Sequence, residues 1–395
     1  MKKYFIICLS LISFYACETD DVVAPATYNC QLSGPDNTDA HPDKAAIDRA
    51  LEEIGAISVG VQVSVKDKNG LWYNNAMGKA DIPNDVVLEA CTKTMVGSIS
   101  KTFTGVLIMQ LQDDGILSVD DMLKDWLDES VIGEIENADQ VNLGHLLTHT
   151  SGIRDYLGVK QYINALNTSY LLETQEEKLR YIYGKKAELA VGEKYSYSNS
   201  NYVLLGLVIE KARNMPLWDA VDTYIVKRLG LENTEMGTHE NPIPEGTARP
   251  YRNISGRRFE DVMHIAVSDA ATGDGGIASN MQDLNLFFDG LFTGQLMSNE
   301  AFQQMTDSEL LIVGEGEEDY PQWPDESYGL GISLWNTPKG VAYGHTGSTS
   351  TYEAYSFYFP DTGVAISIGY NAAEGNGLGE KQRAFREKLF DILLD

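Results

Sequence analysis

The segment Gly97–Lys101 contains a serine three residues before a lysine and stands at the start of an apolar stretch. Positions three apart on a helix share a face, so we expect the side chains of Ser98 and Lys101 to touch. A lysine amine that is removed from water loses basicity and can accept the serine proton. The pair predicts a nucleophilic serine activated by lysine, although a capping serine beside a solvated lysine has the same pattern.

A second segment combines a phenol and an amide just before the apolar stretch 202–209. A phenol beside an ammonium group is stabilised as phenolate, so Tyr197 is predicted to share the base role. The amide of Asn199 can hold both Lys101 and a substrate carbonyl. The alternative is that Tyr197 and Asn199 are ordinary turn and cap residues.

The third segment, Gly344–Ser348, lies between two predicted strands. We expect His345, Thr346 and Gly347 to lie on an edge strand against a bound acyl group. The backbone N–H of Ser348 would then join that of Ser98 in an oxyanion hole, a feature often worth several kcal/mol. A simple exposed turn is the alternative.

The elements that must position these segments differ between the ends and the middle of the chain. Hydrophobic spacing predicts helices over 43–54 and 379–394 and strands over 57–65, 71–77, 329–335, 340–343, 352–359 and 364–370. The middle is mainly helical, with predicted helices over 98–112, 143–149, 201–213, 217–229 and 281–292. The order predicts an α+β fold, in which both chain ends build one antiparallel sheet flanked by the terminal helices. A mainly helical domain at about 100–325 is inserted in the sheet domain, and the site forms at the seam between them.

Taken together and in this order, the three segments resemble the serine β-lactamase-related family, which includes class C β-lactamases and D-alanyl-D-alanine carboxypeptidases. The resemblance extends over 43–395 and is supported by segments 146–153, 191–194 and 275–279. It implies that Ser98 is the nucleophile and that Lys101 and Tyr197 together act as the general base. Asn199 would position the reacting groups, and the strand of His345 would form the far wall of the substrate pocket.

The implied function is a serine hydrolase that forms an acyl-enzyme on D-alanyl peptide, amide or ester bonds, most like a carboxypeptidase or esterase. A class C-like β-lactamase and a penicillin-binding sensor without turnover are the alternatives. His345 stands where many class C enzymes have lysine, and a histidine is mostly neutral at pH 7. Carboxylate recognition is therefore weakened, or delegated to Arg249, Arg252 or Arg257, which are otherwise solvated loop charges. His149 is expected to be structural.

Composition restricts the partners. The chain has 30 Lys and Arg against 58 Asp and Glu, a net charge of −28, which argues against nucleic-acid or anionic-membrane binding. Six scattered histidines without a zinc motif predict no metal, and no cofactor is implied. We expect a monomer that acts on a small molecule or a peptidoglycan-derived peptide.

The first 17 residues predict export. Two lysines precede the apolar stretch 4–15, and a small residue precedes Cys17, as in bacterial lipoprotein signals. We expect Cys17 to carry a lipid, with a plain cleaved signal as the alternative, and residues 18–42 to form a flexible tether. The protein would then be periplasmic or anchored to the outer membrane of a Gram-negative-type bacterium, in contact with membrane only through that lipid. An oxidising compartment permits a Cys30–Cys91 disulfide, but Cys91 would equally serve as a small buried hydrophobe.

Overall fold

A computed structural model describes residues 30–253, 259–307, 311–312, 326–373 and 378–394. Its strands are β1 Gly60–Lys66, β2 Trp72–Asp81, β3 Val86–Val87, β4 Thr94–Met95, β5 Glu235–Met236, β6 Tyr251–Asn253, β7 Phe259–Asp261, β8 Ile277–Ser279, β9 Leu311–Ile312, β10 Glu326–Tyr328, β11 Ser333–Thr337, β12 Gly340–Ser348, β13 Glu353–Phe359, β14 Val364–Tyr370 and β15 Ala372–Ala373.

The α-helices are α1 Lys44–Gly55, α2 Ser100–Asp113, α3 Leu123–Trp126, α4 Glu129–Ile132, α5 Leu143–Leu147, α6 Lys160–Thr168, α7 Gln175–Leu179, α8 Asn199–Arg213, α9 Leu217–Val221, α10 Lys227–Leu229, α11 Met263–Ala266, α12 Met281–Phe292, α13 Asn299–Thr306 and α14 Leu378–Leu393. Short 3₁₀ turns cover Thr38–Ala40, Gly97–Ile99, Tyr156–Gly158, Arg180–Ile182 and Val267–Asp269, and a π turn covers Asp222–Val226.

Both ends of the chain build one antiparallel sheet, as predicted. Nine strands follow the order β3-β2-β1-β14-β13-β12-β11-β10-β9, so the first and last long strands meet at β1 and β14. Their register pairs Val61 with Tyr370 and Val65 with Ile366. All of β14 is buried because helices cover both faces of the sheet there.

The two faces of β14 differ in chemistry. Ile366 and Ile368 share an apolar cluster with side chains of α1 and α14, including Leu51 and Leu389. The alternate residue Ser367 faces the other way and donates a hydrogen bond to Asn285 of α12, at 2.7 Å. The terminal helices and the helical region therefore lie on opposite sides of the sheet, which confirms the predicted α+β class.

The helix α2 runs through the centre of the helical region. Its residues from Ser100 to Leu111 are all buried, and it packs against α8 and α13. A helix buried on all sides is typical of the interior of a large domain. The N-terminal end of α2 is thus fixed between the helical region and β12.

The expected flexible tether is wrong for its described part. The Asn37 N–H donates to the Trp72 carbonyl at 3.1 Å, and the Gly34 N–H donates to Gln282 Oε1 at 2.7 Å. His41 is buried. A disulfide joins Cys30 to Cys91, which resolves that open question in favour of the bridge. These contacts fix residues 30–42 to both the sheet and the helical region, whereas Cys17 and residues 18–29 lie outside the described residues.

None of the helices in the described ranges has the length and apolarity needed to cross a membrane.

Candidate active site

The 3₁₀ turn before α2 presents Ser98 to the seam between the two parts of the fold. Gly97 has a φ of +51°, a left-handed conformation that suits glycine. Ser98 follows it and is partly exposed, whereas Lys101 is fully buried. The Lys101 ammonium donates to Ser98 Oγ at 3.0 Å, the contact that the three-residue spacing predicts.

Lys101 also makes two contacts with distant parts of the chain. Its ammonium donates to Asn199 Oδ1 at 2.8 Å and to the Asp274 backbone carbonyl at 2.9 Å. Three acceptors match the three hydrogens of a lysine ammonium. The ring centre of Tyr197 lies 5.0 Å from the same nitrogen. The structure therefore brings together the four residues predicted from the first two segments.

Tyr197 is held by a residue that we expected to be only structural. The ring of His149 stacks on the Tyr197 ring, with centres 4.2 Å apart. Nδ1 of His149 accepts the Ser198 N–H at 3.1 Å, and its backbone carbonyl accepts the Ser196 N–H at 2.8 Å. Burial, and then the nearby charges of Lys101 and His345, lower the His149 pKa well below its ordinary value, so the ring is neutral. His149 is thus a positioning residue for Tyr197.

Asn199 is oriented by Asp155, which the sequence analysis missed. Its carboxylate accepts the Asn199 backbone N–H at 3.2 Å and the side-chain amide N–H at 3.0 Å. Because the amide nitrogen is engaged there, the amide oxygen faces Lys101. Burial raises the Asp155 pKa, partly opposed by the Asn199 hydrogen bond. A lone aspartate 44 residues from its partner carries no recognisable sequence signal.

The far wall of the substrate pocket is formed by the last residues of β12. Only Gly340–Gly344 of this strand pair with β11, so His345–Ser348 extend beyond that partner toward the start of α2. A Cβ atom on Gly347 would lie 1.9 Å from the Val96 carbonyl oxygen and 3.1 Å from the Ser98 nitrogen. This close approach brings the backbone N–H groups of Ser98 and Ser348 to one end of the pocket, as an oxyanion hole requires.

The side chain of His345, which was expected to bind substrate, does not face the pocket. His345 is buried and does not line the pocket. Its Nδ1–H donates to the Thr346 carbonyl, so Nε2 accepts the Tyr328 hydroxyl at 2.8 Å. Burial, reinforced by the charge of Lys101, lowers its pKa to about 3. The neutral imidazole therefore packs behind the strand that forms the pocket wall. Thr346 does not line the pocket either.

The pocket at Ser98 has a volume of about 360 Å³. One part of its wall is apolar and is formed by Leu157, Tyr162, Leu166 and Ile265. Another part is rich in hydroxyl groups, from Ser268, Ser348, Thr349, Ser350 and Thr351. None of the described lining residues is Lys, Arg or His. A larger cleft, of about 1120 Å³, lies beside the disulfide and contains none of the residues around Ser98.

The two described arginines among those considered for carboxylate binding do not line this pocket. The guanidinium of Arg249 forms an ion pair with Asp261 at 2.6 Å, and Arg252 is not among the lining residues. Arg257 lies outside the described residues. Of the groups that the structure describes, Cys30, Glu89 and Cys91 cluster closely enough to suggest metal ligands, but both sulfurs are joined in the disulfide.

A sheet built from both chain ends, with a serine–lysine pair at its junction with a helical insertion, defines the class of penicillin-recognising serine hydrolases. The chain belongs to the β-lactamase family, whose model, described as Beta-lactamase, matches residues 47–389.

Relatives within that family have different names. Penicillin-binding protein 4* of Bacillus subtilis (strain 168) is 26% identical over 304 residues, 74% of this chain and 63% of the relative. Esterase EstB of Burkholderia gladioli is 28% identical over 219 residues, 53% of this chain and 54% of the relative. The chain thus spans less than two thirds of the length of both curated relatives.

A solved structure, the D-stereospecific amidohydrolase from Streptomyces sp., has a TM-score of 0.73 and 26% identity to this chain. The match covers 88% of this chain and 98% of that one. Family and fold are therefore established over most of the described residues, while the reaction and the substrate require their own argument.

Proposed function

We propose that this protein is a serine hydrolase that works through an acyl-enzyme on Ser98. In its basic form, with one proton fewer than an ammonium and a phenol, the Lys101–Tyr197 pair takes the proton of Ser98 as the serine oxygen attacks the substrate carbonyl. The pair then gives this proton to the alcohol or amine that leaves when its bond to the carbonyl carbon breaks, so that the acyl group remains on Ser98. The N–H groups of Ser98 and Ser348 stabilise the negative charge that develops on the carbonyl oxygen. Water then hydrolyses the ester formed on Ser98, and Asn199 keeps Lys101 and the substrate carbonyl in place.

We further propose that the enzyme prefers esters and amides without a carboxylate beside the scissile bond. The observation that carries this proposal is the absence of Lys, Arg and His among the described lining residues. A substrate carboxylate would lose water there, and the cation beneath the pocket, Lys101, already donates its three hydrogens to Ser98, Asn199 and Asp274. This favours the esterase or amidase type over the carboxypeptidase and β-lactamase types.

Covalent labelling tests the nucleophile. A fluorophosphonate should add to Ser98 at one equivalent per chain, seen by intact-mass measurement and located by peptide mapping. Ser98→Ala should take up no label. Folded wild-type protein that reacts with neither a fluorophosphonate nor a fluorescent penicillin would refute the acyl-enzyme proposal.

Two peptides with the same scissile bond test the substrate class. N-acetyl-D-alanyl-D-alanine and its C-terminal amide differ only in the terminal charge. We expect the amide to have the higher kcat/KM, or an ester of N-acetyl-D-alanine to be cleaved when neither peptide is. A tenfold preference for the free acid, or efficient cephalosporin turnover, would contradict the proposal. A stable adduct without hydrolysis would support the sensor alternative.

Export and lipid anchoring at Cys17 are also proposed. The signal-like N-terminal segment supports export, and so does the Cys30–Cys91 disulfide, since such bonds persist in oxidising compartments. Detergent phase partitioning of cell extracts tests the anchor. Wild-type protein should enter the detergent phase and Cys17→Ala should not, and equal partitioning of both would exclude lipidation.

A further inference from the structure

One carboxylate lines the pocket and is not needed by the mechanism. The backbone carbonyl of Asp274, and not its carboxylate, accepts the hydrogen bond from Lys101. The residue is 6% exposed and belongs to the pocket wall. Its Oδ2 accepts the Tyr156 hydroxyl at 2.7 Å, but its Oδ1 is buried and accepts no hydrogen bond from the described residues.

A buried carboxylate oxygen that accepts no hydrogen bond from the protein destabilises the folded state. Leaving such a group unsatisfied costs on the order of 1–3 kcal/mol, and more when it is charged. The neighbouring carboxylate, Asp155, differs in having donors on both oxygens, from Asn199 and Leu157. Asp274 is therefore the lining carboxylate with unused capacity to accept a hydrogen bond.

No described residue donates a hydrogen bond to Oδ1 of Asp274. Lys101 donates to the backbone carbonyl of Asp274, whereas the carboxylate accepts from Tyr156 on Oδ2 and from no described residue on Oδ1. The other buried lysine nearby, Lys178, lies over the Tyr156 ring at 5.6 Å and donates to Thr272. A donor that arrives with the substrate would complete the site.

We propose that Asp274 binds a protonated amine on the acyl part of the substrate, so that the preferred substrates are esters and amides of amino acids with a free amine. The inference rests on the proposed function. The Asp274 carbonyl and Ser98 Oγ both contact Lys101, at 2.9 and 3.0 Å. An α-nitrogen lies about 2.5 Å from its own carbonyl carbon. A substrate whose carbonyl meets Ser98 therefore carries its α-ammonium into the part of the pocket that contains Asp274.

The expected effect is a preference for the free amine over its acetylated form. A hydrogen bond between two charged groups is typically worth about 10- to 100-fold in binding. Acetylation removes the charge and two of the three hydrogens, so Asp274 is left with a neutral amide N–H, which donates a weaker hydrogen bond than an ammonium does. The preference should decline as pH rises past the amine pKa, near 8 for an ordinary α-amine.

A matched pair of substrates tests the inference. D-Alanine methyl ester and N-acetyl-D-alanine methyl ester are compared by kcat/KM and by how strongly each slows fluorophosphonate labelling of Ser98, which needs no turnover. The L-enantiomers are measured alongside. Wild type should favour the free amine about tenfold or more at pH 6.5, whereas equal values or a preference for the acetylated ester would overturn the inference.

Variants assign the preference to the side chain. Asp274→Asn should bring the ratio between the two esters close to one, and Asp274→Glu should retain part of it. Asp120→Asn, the same change at an exposed carboxylate outside the pocket, should keep the wild-type ratio. A folded Asp274→Asn that keeps the full preference would exclude this carboxylate as the amine site. Absent labelling of Ser98 would instead refute the proposed function, so the two failures are distinguishable.

Discussion

The contact between β12 and the start of α2 makes Gly347→Ala an informative perturbation. The added Cβ would lie 1.9 Å from the Val96 carbonyl oxygen, whereas real contacts of this kind are not shorter than 3.0 Å, so the backbones must separate by about 1.1 Å. The backbone fixes the position of the Cβ, and the oxygen is itself a backbone atom, so no side-chain rotation relieves the clash. The Ser348 N–H would move away from the Ser98 N–H with the strand.

The expected loss follows from that displacement. Misplacing an oxyanion-hole donor by about 1 Å is comparable to removing it, which costs about 10²–10³ in kcat, or roughly 2.7–4 kcal/mol. KM should change much less, because the donor acts mainly on the transition state. The assay is hydrolysis of a neutral 4-nitrophenyl ester, with fluorophosphonate labelling as a second measure and thermal unfolding as the check on folding.

Gly158→Ala is the matched control. No atom lies within 4 Å of the Cβ that it would add, and its φ is not in the left-handed region. It should keep the wild-type rate. A Gly347→Ala protein that unfolds cooperatively and hydrolyses the ester within threefold of wild type would refute the assignment of the Ser348 N–H to the oxyanion hole.

Three further predictions concern the groups around Lys101. Lys101→Ala should lower kcat by about 10²–10⁴ in the ester assay, the usual effect of losing a general base, and near-normal turnover would exclude that role. His149→Phe keeps a ring for Tyr197 but loses the acceptor for the Ser198 N–H, so urea unfolding should show a loss of about 1–3 kcal/mol, with kcat falling more than KM. An unchanged kcat would mean that Tyr197 does not depend on this contact. His345 has a pKa of about 3 when folded and about 6.5 when unfolded, so below pH 6.5 only the unfolded chain takes up its proton. Between pH 7 and pH 5 this proton uptake should lower the free energy of unfolding of the wild type by about 2 kcal/mol, a loss that His345→Gln should not show. An equal pH dependence of unfolding in the two proteins would refute a neutral His345.

Local patterns predicted the elements well where one face of an element is consistently apolar. The strand over 364–370 and the helix over 281–292 match β14 and α12 residue for residue. The contact between Ser98 and Lys101 also follows from local geometry, since it depends only on helical spacing. The predicted helix over 217–229 is instead divided by a π turn, which hydrophobic spacing does not reveal.

Contacts between distant segments could not be read from the sequence. The role of His345 was inferred from its place in a motif, but its environment is set by Tyr328, which buries its ring and accounts for one of its hydrogen bonds. The polar composition of 30–42 predicts a tether, because composition alone does not show that Gln282 and Trp72 supply hydrogen-bond partners for this segment. In both cases the missing information was which segment packs there.

The acceptors around Lys101 explain why two carboxylates stand close to it without forming an ion pair. Its three hydrogen bonds go to a hydroxyl, a side-chain amide oxygen and a backbone carbonyl, none of which carries a formal charge. A carboxylate bonded directly to the ammonium would stabilise its proton and oppose its transfer. Asp155 acts instead through Asn199, and Asp274 offers its carbonyl while its carboxylate bonds to Tyr156. Neutral dipoles thus fix the position of the lysine nitrogen without binding its proton as strongly as an anion would, and the carboxylate of Asp274 stays available to the substrate.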